Sequence, residues 1–411
     1  MAVLKAWLPI SIDIADLNRF IRNFSNETFL NDVNAVINGK TYQDIYEVVF
    51  LEQTGYFSAI FGGYNLAFTA GTAYGTATTY LESMFIGGTW THIWSIEDTS
   101  FPANSIYQTA LTPSTTDDAA MLAQLLAGND SFYLSAYADQ MRGHAGDDFF
   151  EGRGGNDILD GGTGIDVSYY SGLSHGYSIV VGPVAVNVID RWGYDGADTL
   201  VNFERLQFSD ATLDTAWFSK AAAVPSWQFA DLTDMYIAYF DRAPDAVGLF
   251  YWASRLSDGM TLREIAKSFF VQPETLAAYP AGQSTSEFVT KVYNNMLGRD
   301  PDAPGLAYWA SDLATGAVSQ DEFMLAIIYG ARAATGSPAD VQYLANKNAV
   351  GRDFAVIEGL NNVGWARAVL ENVDNSPLSV QTAGALIDSY AAAAASISSP
   401  DLVVHLIGIG G

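Results

Sequence analysis

Five aspartates stand in register, nine residues apart, between Leu125 and Tyr169. In frames of nine this stretch reads LLAGNDSFY, LSAYADQMR, GHAGDDFFE, GRGGNDILD and GGTGIDVSY. The sixth place holds Asp130, Asp139, Asp148, Asp157 and Asp166. The eighth is apolar in four frames (Phe132, Met141, Phe150, Leu159) and is Ser168 in the last. Gly128, Gly146, Gly155 and Gly164 fill the fourth place of four frames. Carboxylates at a fixed period among glycines supply oxygen donors for a hard cation. Calcium accepts roughly 6–8 oxygens with loose geometry, whereas magnesium demands a tight octahedron. Glycine adds positive φ and backbone carbonyls that no Cβ obstructs.

Those donors need a scaffold. The first six residues of a frame are expected to turn, and the last three to form a short strand whose eighth side chain faces inward. Successive turns then fall on alternate edges. Asp130, Asp148 and Asp166 share one edge, Asp139 and Asp157 the other. An ion between stacked turns would see carboxylates from two of them plus backbone carbonyls. LLAGNDSFY carries only the second half of a turn. LSAYADQMR has no glycine, so its turn is expected to be distorted and Asp139 to be a weak or absent ligand. Strong sites are expected at Asp148 with Asp166 and at Asp157 with its adjoining turns, and a site between Asp130 and Asp148 stays open. Without metal the stacked carboxylates repel, so the ions should serve folding rather than catalysis.

The frames resemble the RTX, or hemolysin-type calcium-binding, repeat family, whose pattern is GGxGxDxUx. GGTGIDVSY and GRGGNDILD match it closely and GHAGDDFFE fairly. The resemblance implies a parallel β-roll with calcium in its turns. The metal-site residues would be Asp130, Asp148, Asp157, Asp166, Gly146, Gly155 and Gly164, with Asp139 weaker. It also implies export by a type I secretion machinery through an uncleaved signal near the C-terminus. The acid-then-apolar run Asp401 to Val404 is compatible with such a signal. The strand-like segment at 173–215, containing YDGADTLVNFERLQFSD, is similar to the tail that follows such repeats. It is expected to cap the open end of the stack.

Around the repeats the character of the chain changes twice. Residues 1–114 are rich in aromatic and β-branched residues punctuated by glycine, which predicts strands. Ile14 to Phe24 reads equally as helix or strand. A short helix should follow, capped by Thr115 or Thr116, with Asp117 and Asp118 at its positive end and Gly128 closing it. From about Trp227 helical spacing takes over. Here Tyr236, Arg242, Pro244, Asp245, Gly248, Leu249, Tyr251, Trp252, Leu256 and Gly259 recur 57 residues later as Tyr293, Arg299, Pro301, Asp302, Gly305, Leu306, Tyr308, Trp309, Leu313 and Gly316. This is a duplicated helical module. Asp245 and Asp302 should cap the helix after each loop, Arg242 and Arg299 should tie the loop to it, and the Tyr-Trp pairs should enter the core. The module resembles a domain of unknown function that recurs, often in tandem, in type I-secreted and S-layer-like bacterial proteins. The last eleven residues, DLVVHLIGIGG, are apolar but too glycine-rich at their end for a helix, and the GIGG from Gly408 to Gly411 cannot open one.

The expected fold class is therefore multidomain α+β. It comprises a β-rich N-terminal domain at 1–114, a short helix and β-roll at 115–172, and a strand cap at 173–217. Two helical modules at 228–283 and 284–336 follow, and 337–411 holds further helices and the secretion signal of an all-α C-terminal region.

With 46 acidic against 19 basic residues the formal charge is −27, which opposes nucleic acid or an anionic membrane as the main partner. There is no cysteine, so disulfides and thiolate metal sites are excluded. No apolar run is long enough for a membrane span, and the N-terminal stretch, interrupted by Asp13 and Asp16, shows no secretory h-region or cleavage site, so an export address is not expected there. His92, His144, His175 and His405 form no H-E-x-x-H, and G-x-S-x-G is missing. Asp300, Asp302 and Gly305 loosely suggest a calcium loop but lack its later ligands. Glu82 and Glu97 lie near Trp90 and Trp94, where a sugar could stack. The leading expectation is a secreted, non-enzymatic surface or matrix component that binds calcium, with self-association or cell-surface polysaccharide as further partners. The alternatives are an extracellular enzyme or a glycan-binding protein with its site in the N-terminal β region.

Overall fold

Aromatic and β-branched residues draw the first hundred residues into a sheet that does not stop where they stop. In this computed structural model, residues 1–69, 71–333, 337–396, 399 and 401–407 are described. They form two units, Met1–Ser174 with Val184–Thr215, and His175–Pro183 with Ala216–Gly411. The protein is mixed α/β, with a large β-rich N-terminal region and a helical C-terminal region.

In the first unit, β1 is Val3–Ala6 and β2 is Phe24–Leu30. A small hairpin, β3 (Ala35–Ile37) with β4 (Lys40–Tyr42), leads into β5 (Asp44–Glu52). The long strands β6 (Gly55–Thr69), β7 (Thr72–Ile86) and β8 (Thr89–Glu97) continue an antiparallel meander, and β9 (Phe101–Pro102) pairs with β7. The ambiguous stretch resolves into a short helix, α1 (Arg19–Arg22), with Phe20 buried in the aromatic core. Helix α2 is Ala103–Ala110 and α3 is Thr115–Leu125. The expected cap of α3 is corrected. Ser114 holds that place and accepts from the amide of Thr116 at 3.2 Å, because Thr115 and Thr116 already lie within the helix. The helix closes at Leu126, two residues before Gly128.

The five frames give five three-residue strands: β10 (Ser131–Tyr133), β11 (Gln140–Arg142), β12 (Phe149–Glu151), β13 (Ile158–Asp160) and β14 (Val167–Tyr169). Next come β15 (Tyr177–Val181), β16 (Val186–Asp190), β17 (Ala197–Val201), β18 (Arg205–Gln207) and β19 (Thr212–Asp214). Pairing skips a frame each time. β10, β12, β14 and β18 run parallel in one sheet, and β11, β13 and β17 in the other. Phe132, Met141, Phe150, Leu159 and Ser168, all at the eighth place, are at most 1% exposed, and Phe132 stacks on Phe150 at 4.3 Å.

Strand β1 departs from the expected division. It pairs antiparallel with β8 and parallel with β10. One 12-stranded sheet therefore runs β19-β18-β14-β12-β10-β1-β8-β7-β6-β5-β2, with β9 to the side. No break in the sheet falls at 114 or 172. The segment expected at 173–217 as one cap is shared: β16 to β19 belong to the first unit and β15 to the second.

In the second unit, the duplicated module is Ser226–Phe240 and Ala246–Ser257, repeated as Thr285–Leu297 and Ala303–Thr315. Asp245 caps its helix through the amide of Gly248 at 2.9 Å, and Asp302 through that of Gly305 at 2.7 Å. The arginines do not act alike. Arg242 is buried and binds Asp245 and Glu274, whereas Arg299 reaches Asp340. The second Tyr-Trp pair corrects the core expectation: Tyr308 is 58% exposed, because its helix buries no residue fully. The helices Gln320–Arg332, Pro338–Arg352, Val363–Ala368 and Pro377–Ala394 follow. The C-terminal region is not all-α. Its β-branched pair Val403 and Val404 forms β20 (Val403–Leu406), which pairs in parallel with β15. The GIGG at 408–411 lies outside the described residues.

Candidate metal centre

Each turn aspartate in the stack uses one carboxylate oxygen to hold the turn one layer away. Oδ1 of Asp148 accepts from the amide of Asp130 at 2.7 Å, and Oδ1 of Asp166 from that of Asp148 at 2.8 Å. On the other edge, Oδ1 of Asp157 accepts from the amide of Asp139 at 2.9 Å. Both ladders continue through residues that frame counting missed. Asp198 accepts from Asp157 at 3.0 Å, and Glu204 from Asp166 at 2.8 Å. The signal for Asp198 was present: GYDGADTLV, residues 193–201, places glycine first and fourth, aspartate sixth and leucine eighth. At the opposite end the amides of Ala2 and Ile10 donate to Oδ1 of Asp130 and Asp139. A parallel ladder at the fifth place links Asn129 to Asp147 and Asp147 to Ile165.

The second oxygen separates the turns. Oδ2 of Asp130, Asp148, Asp157 and Asp166 is buried without a hydrogen-bond partner, and these residues are at most 3% exposed. Asp139 has no such oxygen to spare. Its Oδ2 accepts from the amide of Ser135 at 2.8 Å and its hydroxyl at 2.9 Å. In the glycine-less frame a serine side chain fills the place where another turn leaves its carboxylate open.

First-place glycines, absent from the candidates drawn from the sequence, lie beside these free oxygens. A Cβ on Gly143 would sit 2.1 Å from Oδ2 of Asp148 and 2.6 Å from the carbonyl oxygen of Gly161. One on Gly161 would sit 2.3 Å from the carbonyl oxygen of Asn202 and 2.6 Å from Oδ2 of Asp166, and one on Gly152 would sit 2.5 Å from Oδ2 of Asp157. The points at Gly143 and Gly161 lie between a carboxylate and a backbone carbonyl, the kind of oxygen donors that calcium takes. Gly146, Gly155 and Gly164 do something else. Their φ values are +118°, +117° and +144°, and a Cβ on any of them would strike the backbone of the turn below. They permit stacking.

Among the described residues no three acidic, imidazole or thiol groups converge on one point. An ion in these turns would therefore take most of its ligands from backbone carbonyls.

Electrostatics follow from burial. It pushes the carboxyl of Asp148 up to about 7, and the charges of Asp166 and Asp130 add to the rise. Asp157 is pushed to about 8 by burial and then by Asp198, which itself is raised by burial to about 7. Asp166 rises to about 6, and Asp130 and Asp139 rise also, burial leading in each. Carboxyls raised in this way are short of positive charge.

The acids of the N-terminal sheet are already committed. Oε2 of Glu82 accepts from the Tyr80 hydroxyl at 2.5 Å, from the Trp94 indole at 3.1 Å and from Arg19. Glu97 is held by Lys5 and Lys40, each at 3.1 Å. Trp94 packs on Tyr80 at 4.8 Å, whereas Trp90 is 44% exposed. His144 is partly buried with φ 71°, at the second place of its turn.

Comparison with known proteins gives two family matches. Residues 133–167 match the RTX calcium-binding nonapeptide repeat (4 copies), and residues 266–333 match a domain of unknown function, DUF4214. Together they span about a quarter of the chain. No curated protein sequence matches. Among solved structures, the extracellular lipase LipA from Serratia marcescens is similar over 21% of this chain and 14% of its own length, at 21% identity and a TM-score of 0.20.

Proposed function

We propose that the RTX repeats form a short parallel β-roll whose turns hold calcium, and that this metal switches the roll from unfolded to folded outside the cell. The observation that carries the reading is the set of four buried, unpartnered Oδ2 atoms on Asp130, Asp148, Asp157 and Asp166, three of them beside a first-place glycine whose missing Cβ leaves room for an ion. Without a cation, desolvated carboxylates face one another across the stack, which disfavours the fold. With calcium the same oxygens become ligands, and binding free energy becomes folding free energy.

A calcium-poor cytosol keeps such a chain open for export by a type I machinery. Millimolar calcium outside saturates extracellular-type sites with Kd of roughly 10⁻⁴–10⁻³ M. In this reading the protein is a secreted, non-enzymatic component of the cell surface or matrix, S-layer-like or adhesive. The ions are structural, and a second copy or surface polysaccharide is the partner.

Calcium titration of chelator-treated protein tests this, with circular dichroism and light scattering recorded together. Secondary structure should rise with calcium and not with equal magnesium. Scattering separates metal-driven assembly from metal-driven folding. Full secondary structure and an unchanged Tm in excess chelator would overturn the proposal.

A further inference from the structure

The N-terminal sheet encloses a space for which the calcium chemistry has no use. Helix α2 packs on β7. Between α1, α2 and the strands β2, β5 and β6 lies a cavity of about 230 Å³. Ala77, Ala103 and Ala110 line it and leave the room, and Phe20, Phe61 and Leu66 give it apolar walls. Native interiors are close-packed, and a dry engineered cavity of about 150 Å³ already takes up benzene. A smaller apolar pocket of about 50 Å³ shares Phe61, Ala77 and Ile106 with it. Ile21 and Phe24 also line the cavity and are 46% and 51% exposed, so its wall stays apolar out to the solvent.

Polar groups gather on β2 and β5. Glu27 lines the cavity and its carboxylate accepts from the Tyr46 hydroxyl at 2.7 Å. Tyr107 of α2 is another lining residue with a polar hydroxyl. An apolar chamber with one anionic acceptor selects for an apolar tail and a head that donates hydrogen bonds.

We propose that this cavity binds a small amphiphile, its alkyl or aromatic tail under α2 and its ammonium or hydroxyl head against Glu27. A carboxylate or phosphate head would oppose both Glu27 and the overall charge of −27.

The test uses three probes with one tail, n-hexylamine, n-hexanol and n-hexanoate, on the full chain in saturating calcium, followed by ligand-detected NMR titration. Hexylamine and hexanol should bind saturably, and hexanoate about tenfold more weakly or worse, as a charge set against Glu27 requires. Glu27→Gln, at an exposed position, should keep tail binding and bring the three probes to within about threefold of one another. Ala103→Phe should fill the chamber and abolish binding, with circular dichroism checking its fold. Absence of saturable binding by all three probes overturns the proposal. So does hexanoate binding as tightly as hexylamine, or unchanged binding by a folded Ala103→Phe. If Ala103→Phe does not fold, the Glu27→Gln comparison decides alone.

Discussion

The backbone amide of Ile10 donates to Oδ1 of Asp139 at 2.7 Å, across 129 residues of chain. Ala2 makes the same bond to Asp130, and the carbonyls of Ala2 and Ile10 accept from Ser131 at 3.0 Å and Gln140 at 2.8 Å. The first ten residues thus supply the layer that would precede the first frame, a cap on the stack. Because β1 also pairs with β8, ordering the stack orders an interior strand of the N-terminal sheet. Ile10→Pro removes the amide but keeps the stacked aspartates. Relative to Ile10→Ala, it should cost about 1–3 kcal/mol, the penalty for a buried acceptor left without its donor. Thermal unfolding in saturating calcium measures this. Equal melting temperatures for the two variants would show that the amide does not cap the stack.

Asp139 and Asp148 hold the same place in their frames and should respond oppositely to the same change. Asp148→Asn replaces a free, desolvated carboxylate oxygen with a neutral amide of the same shape. Without calcium it should stabilise the fold by about 1–3 kcal/mol, and it should lower calcium affinity. Asp139→Asn loses an acceptor of two bonds from Ser135. It should destabilise the fold with or without calcium and leave the number of bound ions unchanged. Chemical denaturation in chelator and in calcium, with calorimetric titration, distinguishes the two patterns.

How far this pattern could be read from sequence depends on what sets each feature. Register and the inward eighth place follow from a strict period, so Asp130 to Asp166 and their edges were legible. The closing residue Asp198 carries its own frame, GYDGADTLV, but the excursion through β15 and β16 shifts it off the nine-residue count, and Glu204 stands in no such pattern. The role of Ser135 was not legible. A serine in a turn is ordinary, and only its approach to Asp139 shows that it occupies the second carboxylate oxygen there. The cap by β1 depends on a parallel pairing that local periodicity does not encode. In the helical unit the caps Asp245 and Asp302 were legible because capping is local. The partners Glu274 and Asp340 of the two arginines were not, since they come from elsewhere in the unit.

The raised carboxyls predict the sign of the pH dependence. Asp148, Asp157, Asp166 and Asp198 stand at about 7, 8, 6 and 7, against an ordinary value of 3.8. A carboxyl raised in the folded state binds more protons there than in the unfolded chain over the window between the two values. In chelator, stability should therefore fall as pH rises from about 5 to about 8. In saturating calcium the same groups are ionised in the fold as they are in the unfolded chain, so stability should stay nearly level across that window. Melting temperatures with and without calcium should draw together as pH falls toward about 5 and separate as it rises, since a metal bound to the fold alone never lowers its stability. A chelated protein whose Tm is flat or rises with pH would contradict the presence of free buried carboxylates.

Gly143 and Gly193 offer a final comparison, between filling a metal cradle and straining a backbone. Gly143 has no positive φ, so alanine there carries no conformational penalty of that kind. Its new methyl would stand 2.1 Å from Oδ2 of Asp148, in the space assigned to the ion. Gly193 has φ +78°, and a methyl added to it would find no atom within 4 Å, so alanine there meets only backbone strain, about 1 kcal/mol. Gly143→Ala should lose one calcium from the stoichiometry and the calcium-dependent part of its stability. Gly193→Ala should keep every ion and lose a small, calcium-independent amount. Calorimetric titration reads the stoichiometry directly. If Gly143→Ala binds as many ions as the parent chain, the ion does not lie between Asp148 and Gly161, and the cradle must be sought on the opposite side of the turn.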